Sequence, residues 1–246
     1  MESAYTQFQM NRIYWDIETG PKDIEFIKKI MGEFNPANVK IGKNKKPEAV
    51  AKQIEDARLA YEPDLLDSAC LNAIIGRVMA IGYIDLAGEA HILDADADEA
   101  TAIDRWFHYM ARHKDALFLG WNTVEFDLRF LRQRALCLGL KIPYGLYIHT
   151  GYRPRWSRNV DLMFEFTGST QQYKKLDHVA KALGHTGKNG DGAMFHKLWT
   201  SKVPGDRERA GMYLTNDLQM TKFVGDKIVD LHEYVPQEEQ GDDVPY

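Results

Sequence analysis

The order of strand-forming and helix-forming segments along this chain limits the folds that it can adopt. Residues 12–18 are rich in aromatic and β-branched side chains, which is typical of a buried strand. Residues 77–93 predict two further strands joined at Ala87 and Gly88. Helical patterns are interleaved with one more short strand, at residues 116–122, and dominate the C-terminal half. This order predicts the α/β class, with a central mixed β-sheet flanked by α-helices.

Apolar spacing and helix-end signals predict four helices after the first strands. They cover residues 99–114, 126–139, 173–184 and 207–234. The helix at residues 126–139 is expected to end at Gly139, because glycine readily adopts the left-handed conformation that closes a helix. Residues 160–166 fit either a short strand or the start of a helix.

An insert at residues 21–76 separates the first strand from the second. It combines a short amphipathic helix, a basic loop at residues 40–46 and a helical stretch at residues 47–61. The tail at residues 236–246 is acidic and contains proline, a composition that predicts disorder. We therefore expect one domain over residues 1–235 that includes the insert.

The composition limits the compartment and the partners. The chain has 246 residues, a formal net charge of -5 and only two cysteines, Cys70 and Cys137. We interpret both cysteines as small buried apolar residues in a reducing compartment, since two cannot form a disulfide framework. The N-terminal residues lack the features of a signal peptide, so we expect a soluble cytoplasmic protein without membrane contact. The acidic balance argues against broad polyanion binding, so any nucleic-acid contact must come from local basic patches.

Familiar metal and phosphate motifs are not supported. Residues 94–100 resemble the opening of an EF-hand loop, but Glu99 stands where glycine is needed and Arg105 where a bidentate glutamate is needed. Residues 184–193 resemble a phosphate-binding loop, but Ala182 replaces its first glycine. The sequence contains neither HExxH nor CxxC, so a zinc site has no support.

Two carboxylates, Asp16 and Glu18, stand at the end of the first predicted strand. Side chains alternate along a strand, so these two point the same way, opposite to Trp15 and Ile17. Two like charges this close are costly unless a cation lies between them, and hard oxygen ligands suit Mg²⁺ or Mn²⁺. An isolated pair of this kind is more often a solvated rim of the sheet.

Two later features supply further carboxylates. Asp127 begins a helix directly after a buried strand, where the helix dipole favours an anion. Tyr213 precedes Asp217 by four residues in a predicted helix, so the phenol and the carboxylate share one face. Each feature is common by itself, as an ordinary helix start and an ordinary surface pair.

Together and in this order, three segments resemble the motifs of the DnaQ-like, or DEDD, superfamily of 3′-to-5′ exonucleases. The segments are DIE at residues 16–18, NTVEFD at residues 122–127 and YLTND at residues 213–217. The tyrosine before the last aspartate resembles the DEDDy subtype and differs from the RNase T and oligoribonuclease branch. The likeness is strongest to the predicted exonucleases related to the proofreading domain of family B DNA polymerases, many carried by phages and prophages. It extends over about residues 12–231.

This resemblance implies an RNase H-like fold and a set of catalytic residues. The carboxylates of Asp16, Glu18, Asp127 and Asp217 would hold two divalent ions, Mg²⁺ or Mn²⁺, and Tyr213 would orient the attacking water. Such ions stabilise the attacking and leaving oxygens of a phosphodiester, and the products would be 5′-mononucleotides. A phenol, with an ordinary pKa of about 10, suits positioning of the water better than strong base catalysis.

The substrate strand requires cations and stacking surfaces beyond the metal ligands. Residues 151–159 contain Arg153, Arg155, Trp156 and Arg158, a mixture expected along single-stranded nucleic acid, although an ordinary exposed loop could carry it as well.

Weaker candidates for substrate contact lie elsewhere. They are Lys174, Lys175 and the basic loop at residues 40–46. By resemblance Thr19, Asn122 and Phe126 belong to the substrate-binding set, although core packing is favoured for Phe126. Asp161 either supports the site from behind or forms a purely structural hydrogen bond.

These observations predict a metal-dependent 3′-to-5′ exonuclease. The expected substrate is a single-stranded DNA 3′ end, and the resemblance implies a role in replication, repair or recombination and a bacterial or phage-infected cytosol. Two alternatives stay open: an exoribonuclease, and a weakly active nucleic-acid-binding module working with a polymerase or recombination partner. No sequence feature identifies such a partner protein.

Overall fold

A five-stranded mixed sheet forms the centre of the protein. The computed structural model describes residues 11–43, 45–142, 158–169, 172–187 and 195–231, and the structural statements below concern those residues. The strands are β1 (Arg12–Pro21), β2 (Gly76–Ile84), β3 (Ala90–Asp94), β4 (Leu117–Gly120) and β5 (Asn159–Asp161). Their order is β3-β2-β1-β4-β5, antiparallel from β1 to β3 and parallel from β1 to β5. The predicted mixed sheet is confirmed.

Helices cover the sheet and build the insert. They are α1 (Ile24–Met31), α2 (Pro47–Ala69), α3 (Glu99–Arg112), α4 (Asp127–Leu138), α5 (Leu162–Thr167), α6 (Leu176–Ala182), α7 (Phe195–Trp199) and α8 (Asp206–Leu231). The helices predicted from apolar spacing are confirmed, and α4 ends at Gly139 in the left-handed conformation as expected. The ambiguous segment at residues 160–166 contains both a strand end and a helix, because β5 runs directly into α5.

Alternation along β1 sends its side chains into two different cores. Ile13, Trp15 and Ile17 pack with side chains of α3 and α4 on one face of the sheet. Tyr14 packs on the other face with side chains of α8. Because Asp16 and Glu18 have the same parity as Tyr14, they lie on the face that α8 covers. The sheet therefore places both carboxylates against one long helix.

The far end of α8 is fastened to the start of β1. The carboxylate of Asp226 accepts hydrogen bonds from three side chains, those of Arg12, Tyr14 and Lys222. Burial opposes ionisation of Asp226, but these hydrogen bonds outweigh it and hold the pKa of the carboxyl below its usual range.

The insert departs from the prediction in one respect. Helix α2 continues past the predicted end at residue 61, through Pro63, to Ala69. A proline inside a helix removes one backbone hydrogen bond, yet Ala69 is buried against Ile27 and Ile75. Tertiary packing of the last turn therefore extends the helix beyond its local preference.

The two cysteines are not buried core residues, so that interpretation is wrong. Cys70 is only partly buried at the C-terminal cap of α2, and Cys137 is exposed. The buried positions of α4 recur with helical spacing at Asp127, Leu131 and Arg134, and Cys137 falls outside this stripe. Within the described residues, no helix combines the length and apolar character needed to cross a membrane.

Candidate active site

Three carboxylates from two elements converge on the α8 face of the sheet. Asp16 and Glu18 lie on β1, and Asp217 lies on α8. One carboxylate oxygen from each residue lies within 4.8 Å of the others. The β1–β2 pairing shifts register between Glu18 and Thr19, so the regular ladder is interrupted directly after the second carboxylate.

Asp127 adds a fourth carboxylate beside the β1 backbone. It is the first residue of α4, and its carboxylate accepts a hydrogen bond from the Ile17 backbone N–H at 3.1 Å. Burial raises the pKa of Asp127 well above its usual range, and the nearby charge of Asp16 raises it further. The two side chains also share a hydrogen bond.

Tyr213 lies one helical turn before Asp217 on α8. Its ring is buried beside Phe195 of α7, with the ring centroids 6.5 Å apart. Burial raises the pKa of Tyr213 above its ordinary value, and the charges of Asp217 and Glu18 act in the same direction. The phenol therefore stays protonated at neutral pH and can hydrogen-bond to Asp217.

The donor set fits divalent metal ions. Carboxylate oxygens are the ligands that Mg²⁺ and Mn²⁺ prefer, and four carboxylates can balance the charge of two such ions. Burial and the charge of Asp16 both raise the pKa of Asp127, and a cation beside these two carboxylates would act in the opposite direction. Asp16, Glu18, Asp127 and Asp217 are the residues that could hold the ions.

The loop between β4 and α4 is held by a buried carboxylate. Asp161, at the end of β5, accepts backbone hydrogen bonds from Asn122 at 3.1 Å and Val124 at 3.0 Å. It also caps α5 by accepting from the backbone N–H groups of Met163 and Phe164. Asn122 has a φ of 61°, a left-handed conformation uncommon for a residue other than glycine. Asp161 thus combines the two roles left open for it: structural hydrogen bonds, and support of the loop that leads to Asp127.

Comparison with protein families finds one family whose model covers much of the chain. The family described as "Predicted 3'-5' exonuclease related to the exonuclease domain of PolB" matches residues 70–231. The chain belongs to this family. The matched range contains the second and third exonuclease motifs, with Asp127, Tyr213 and Asp217, whereas the first motif on β1 precedes it. No curated protein matches the chain.

The chain is also similar to a solved structure, the family B DNA polymerase from the hyperthermophilic archaeon Pyrobaculum calidifontis. The TM-score is 0.53 and the sequence identity 16%, over 89% of this chain and 24% of the polymerase. The chain therefore spans about a quarter of the length of that polymerase. This likeness confirms the RNase H-like fold expected of a DnaQ-like exonuclease.

The predicted substrate contacts fall into four groups, of which Arg158 forms the last. Thr19 and Asn122 adjoin the catalytic motifs, and the Thr19 hydroxyl donates to the Cys70 carbonyl at 2.5 Å. Phe126 packs against the core beside Phe130, with ring centroids 5.6 Å apart, as its packing interpretation predicts. Arg153, Arg155 and Trp156 lie outside the described residues, as do residues 236–246.

Arg158 lies away from the carboxylate cluster. Its backbone carbonyl accepts from the Phe118 N–H, and its guanidinium donates to the His113 carbonyl at 3.3 Å. Phe118 pairs with Ile13, three residues before Asp16, which corresponds to about 10 Å along the strand. The side chain of Arg158 therefore hydrogen-bonds the C-terminal cap of α3, near the end of β1 that lies away from the carboxylates.

The sequence did not predict several side-chain contacts around the candidate site. Cys70 Sγ lies 3.8 Å from His196 Nδ1, so α7 meets the end of α2 beside the last residues of β1. Trp121, next to Asn122, contacts Phe166 of α5. The position of Trp121 directly before the second motif was an available signal for its contact with Phe166. No local pattern indicates the contact between Cys70 and His196.

Proposed function

We propose that this chain is a metal-dependent 3′-to-5′ exonuclease that removes 5′-mononucleotides from single-stranded DNA. One observation carries the proposal: Asp16, Glu18 and Asp217 converge within 4.8 Å from β1 and α8, in a member of a predicted exonuclease family. Asp127 adjoins the same group through Asp16. A role in replication, repair or recombination follows from the relation of the family to a polymerase exonuclease domain.

Four carboxylates would hold two divalent ions, Mg²⁺ or Mn²⁺, in this proposal. They are Asp16, Glu18, Asp127 and Asp217. When bound, such ions stabilise the charge that develops on the attacking and leaving oxygens of a phosphodiester.

Tyr213 would orient the attacking water in the DEDDy manner. Its protonated phenol can hold a water by hydrogen bonding but is a poor general base at neutral pH. Packing beside Phe195 fixes the ring, so the phenol oxygen is held in place before the substrate binds.

Asp127 would hold its cation as a carboxylate, and the positive charge would oppose the effects of burial and of Asp16, which raise its pKa. Its hydrogen bond from the Ile17 N–H fixes the carboxylate relative to β1. The loop before it is fixed in turn by Asp161.

A direct test uses purified protein and a 5′-labelled single-stranded DNA oligonucleotide. The reactions contain Mg²⁺, Mn²⁺ or EDTA, beside a matched RNA and the variant Asp217→Asn. A suitable control is Asp104→Asn, which removes an exposed aspartate of α3 instead.

The proposal predicts a ladder that shortens from the 3′ end, needs metal, persists with Asp104→Asn and disappears with Asp217→Asn. Preferential digestion of the RNA would replace the DNA substrate by an exoribonuclease function. Intact oligonucleotides with every metal would contradict the enzyme and favour a nucleic-acid-binding module.

A further inference from the structure

Trp121 directly follows β4, the strand next to β1 and its two carboxylates. Leu119 of β4 pairs with Tyr14 of β1, and a Cβ placed on Gly120 would lie 2.7 Å from the Trp15 carbonyl oxygen. Extending this register by two residues places Trp121, directly after β4, at about the level of Asp16. Leu119 and Trp121 both pack on the α8 face, the face that carries Asp16.

Neighbouring segments fix the Trp121 ring. Its indole N–H donates to the Lys174 carbonyl at 2.8 Å, and its ring centroid lies 6.4 Å from that of Phe166. The Lys174 backbone N–H also approaches Met163 Sδ at 3.5 Å, which ties the same segment to α5. The ring is thus held by β4, α5 and residues 172–175 together.

Two further aromatic side chains around Trp121 are exposed. Phe166 of α5 is 47% exposed, and Tyr173, which directly precedes Lys174, is 62% exposed. Lys174 and Lys175 are exposed as well. We name Trp121, Phe166 and Tyr173 the aromatic platform.

The charge and continuity of this surface favour single-stranded nucleic acid as its occupant. The aromatic platform adjoins a cluster built for cations and phosphates, and lysines on its other side can neutralise phosphates. Aromatic faces stack on any base, but only when the base is unpaired. An acidic protein partner would be attracted by the lysines but repelled by the carboxylates.

We propose that the aromatic platform stacks unpaired bases on the 5′ side of the scissile phosphate. The proposal rests on the proposed function, since it places the terminal nucleotide at the carboxylates. It makes the platform the reason for a preference for single strands, because paired bases cannot lie on these rings.

The test compares two substrates of different length. One is a single-stranded DNA oligonucleotide, and the other is the p-nitrophenyl ester of thymidine 5′-monophosphate, which has no upstream base. Phe166→Ala, Tyr173→Ala and the double variant alter exposed side chains, so folding is preserved, as thermal unfolding would verify. Leu86→Ala, at an equally exposed leucine (47%) in the β2–β3 turn, is the matched control.

Loss of stacking raises KM for the oligonucleotide at least about fivefold in the double variant, with little change in kcat. Hydrolysis of the p-nitrophenyl ester stays unchanged, and Leu86→Ala matches the wild type. An abasic nucleotide upstream of the terminal residue weakens the wild type but not the double variant, because the contact is already absent.

Two results would overturn the platform while leaving the exonuclease intact. One is a double variant with unchanged KM for the oligonucleotide, and the other is an equal loss with both substrates. Failure of the wild type on both substrates with every metal would instead contradict the proposed function itself.

Discussion

The buried ion pair between Arg134 and Glu99 gives a sharp test of the forces that hold α4 in place. Arg134 lies seven residues after Asp127 on the same face of the helix. Its Nε and one terminal nitrogen each bond a Glu99 oxygen at 2.8 Å, and the other terminal nitrogen donates to the Ala73 carbonyl at 2.9 Å. Glu99 also accepts from the Val78 N–H at 2.8 Å, so the pair joins the insert, β2, α3 and α4.

The two ends of this pair are unequally buried, and this sets the expected magnitudes. The side chain of Arg134 is 1% exposed and that of Glu99 is 11% exposed. Glu99→Gln leaves a fully buried guanidinium without its counter-ion, which costs about 3–5 kcal/mol of unfolding free energy. Arg134→Met leaves a carboxylate that keeps the Val78 hydrogen bond and some access to water, so the expected cost is about 2–3 kcal/mol.

The assay is urea denaturation followed by tryptophan fluorescence, with both single variants and the double variant. Since the second substitution removes a partner already lost, the double variant should cost about 1–3 kcal/mol less than the sum. Arg129→Met provides the control on the same helix: Arg129 pairs with Glu125 at 2.8 Å but is exposed, so less than about 1 kcal/mol is expected. Additive single costs, or a Glu99→Gln cost no larger than the control, would refute this reasoning.

Three further predictions concern the site and its supports. Gly120→Ala would place a Cβ 2.3 Å from the Thr123 side chain and 2.7 Å from the Trp15 carbonyl, and a stability loss of about 1–3 kcal/mol is expected in urea denaturation; an unchanged midpoint would contradict it. The depressed pKa of Asp226 gives stability that is present above pH of about 4 and is lost as the pH falls through the lower folded-state value. Thermal unfolding is measured from about pH 5 to about pH 2.5, which brackets the ordinary carboxyl pKa. The unfolding temperature of Asp226→Asn should fall less over this range than that of the wild type, and an equal fall in both proteins would exclude this contribution. Tyr213→Phe should lower kcat on single-stranded DNA about 100-fold with unchanged DNA affinity; full activity would remove the tyrosine from the mechanism.

Local sequence patterns predicted the elements of this fold better than their contacts. The apolar spacing of α3 and the glycine after α4 identified both helices, because burial of one helix face and left-handed capping leave local signals. The end of α2 was predicted too early, since packing of Ala69 depends on Ile27 of α1 and on Ile75, directly before β2. Local preference cannot encode such distant partners.

The same distinction holds for the candidate site. The parity of Asp16 and Glu18 along β1 predicted a shared direction, and the structure places both against Asp217. The hydrogen bond from the Ile17 N–H to Asp127 joins residues 110 positions apart and has no local signal. Arg158 lies in a segment whose composition suits substrate binding, yet its guanidinium contacts the end of α3. Composition alone does not specify such a contact.

The hydrogen bonds of Asp226 to the start of β1 require that two distances agree, one along α8 to Asp217 and one along β1 to Asp16 and Glu18. From Asp226 back to Asp217 the helix advances nine residues, about 13.5 Å at 1.5 Å per residue. Along β1, the step from the middle of Arg12–Tyr14 to the middle of Asp16–Glu18 is four residues, about 13 Å. Deleting one residue of α8 between these points would turn Asp217 by about 100° relative to Asp226. The two distances are nearly equal, so the segment of α8 between Asp217 and Asp226 should accept substitutions but neither insertions nor deletions.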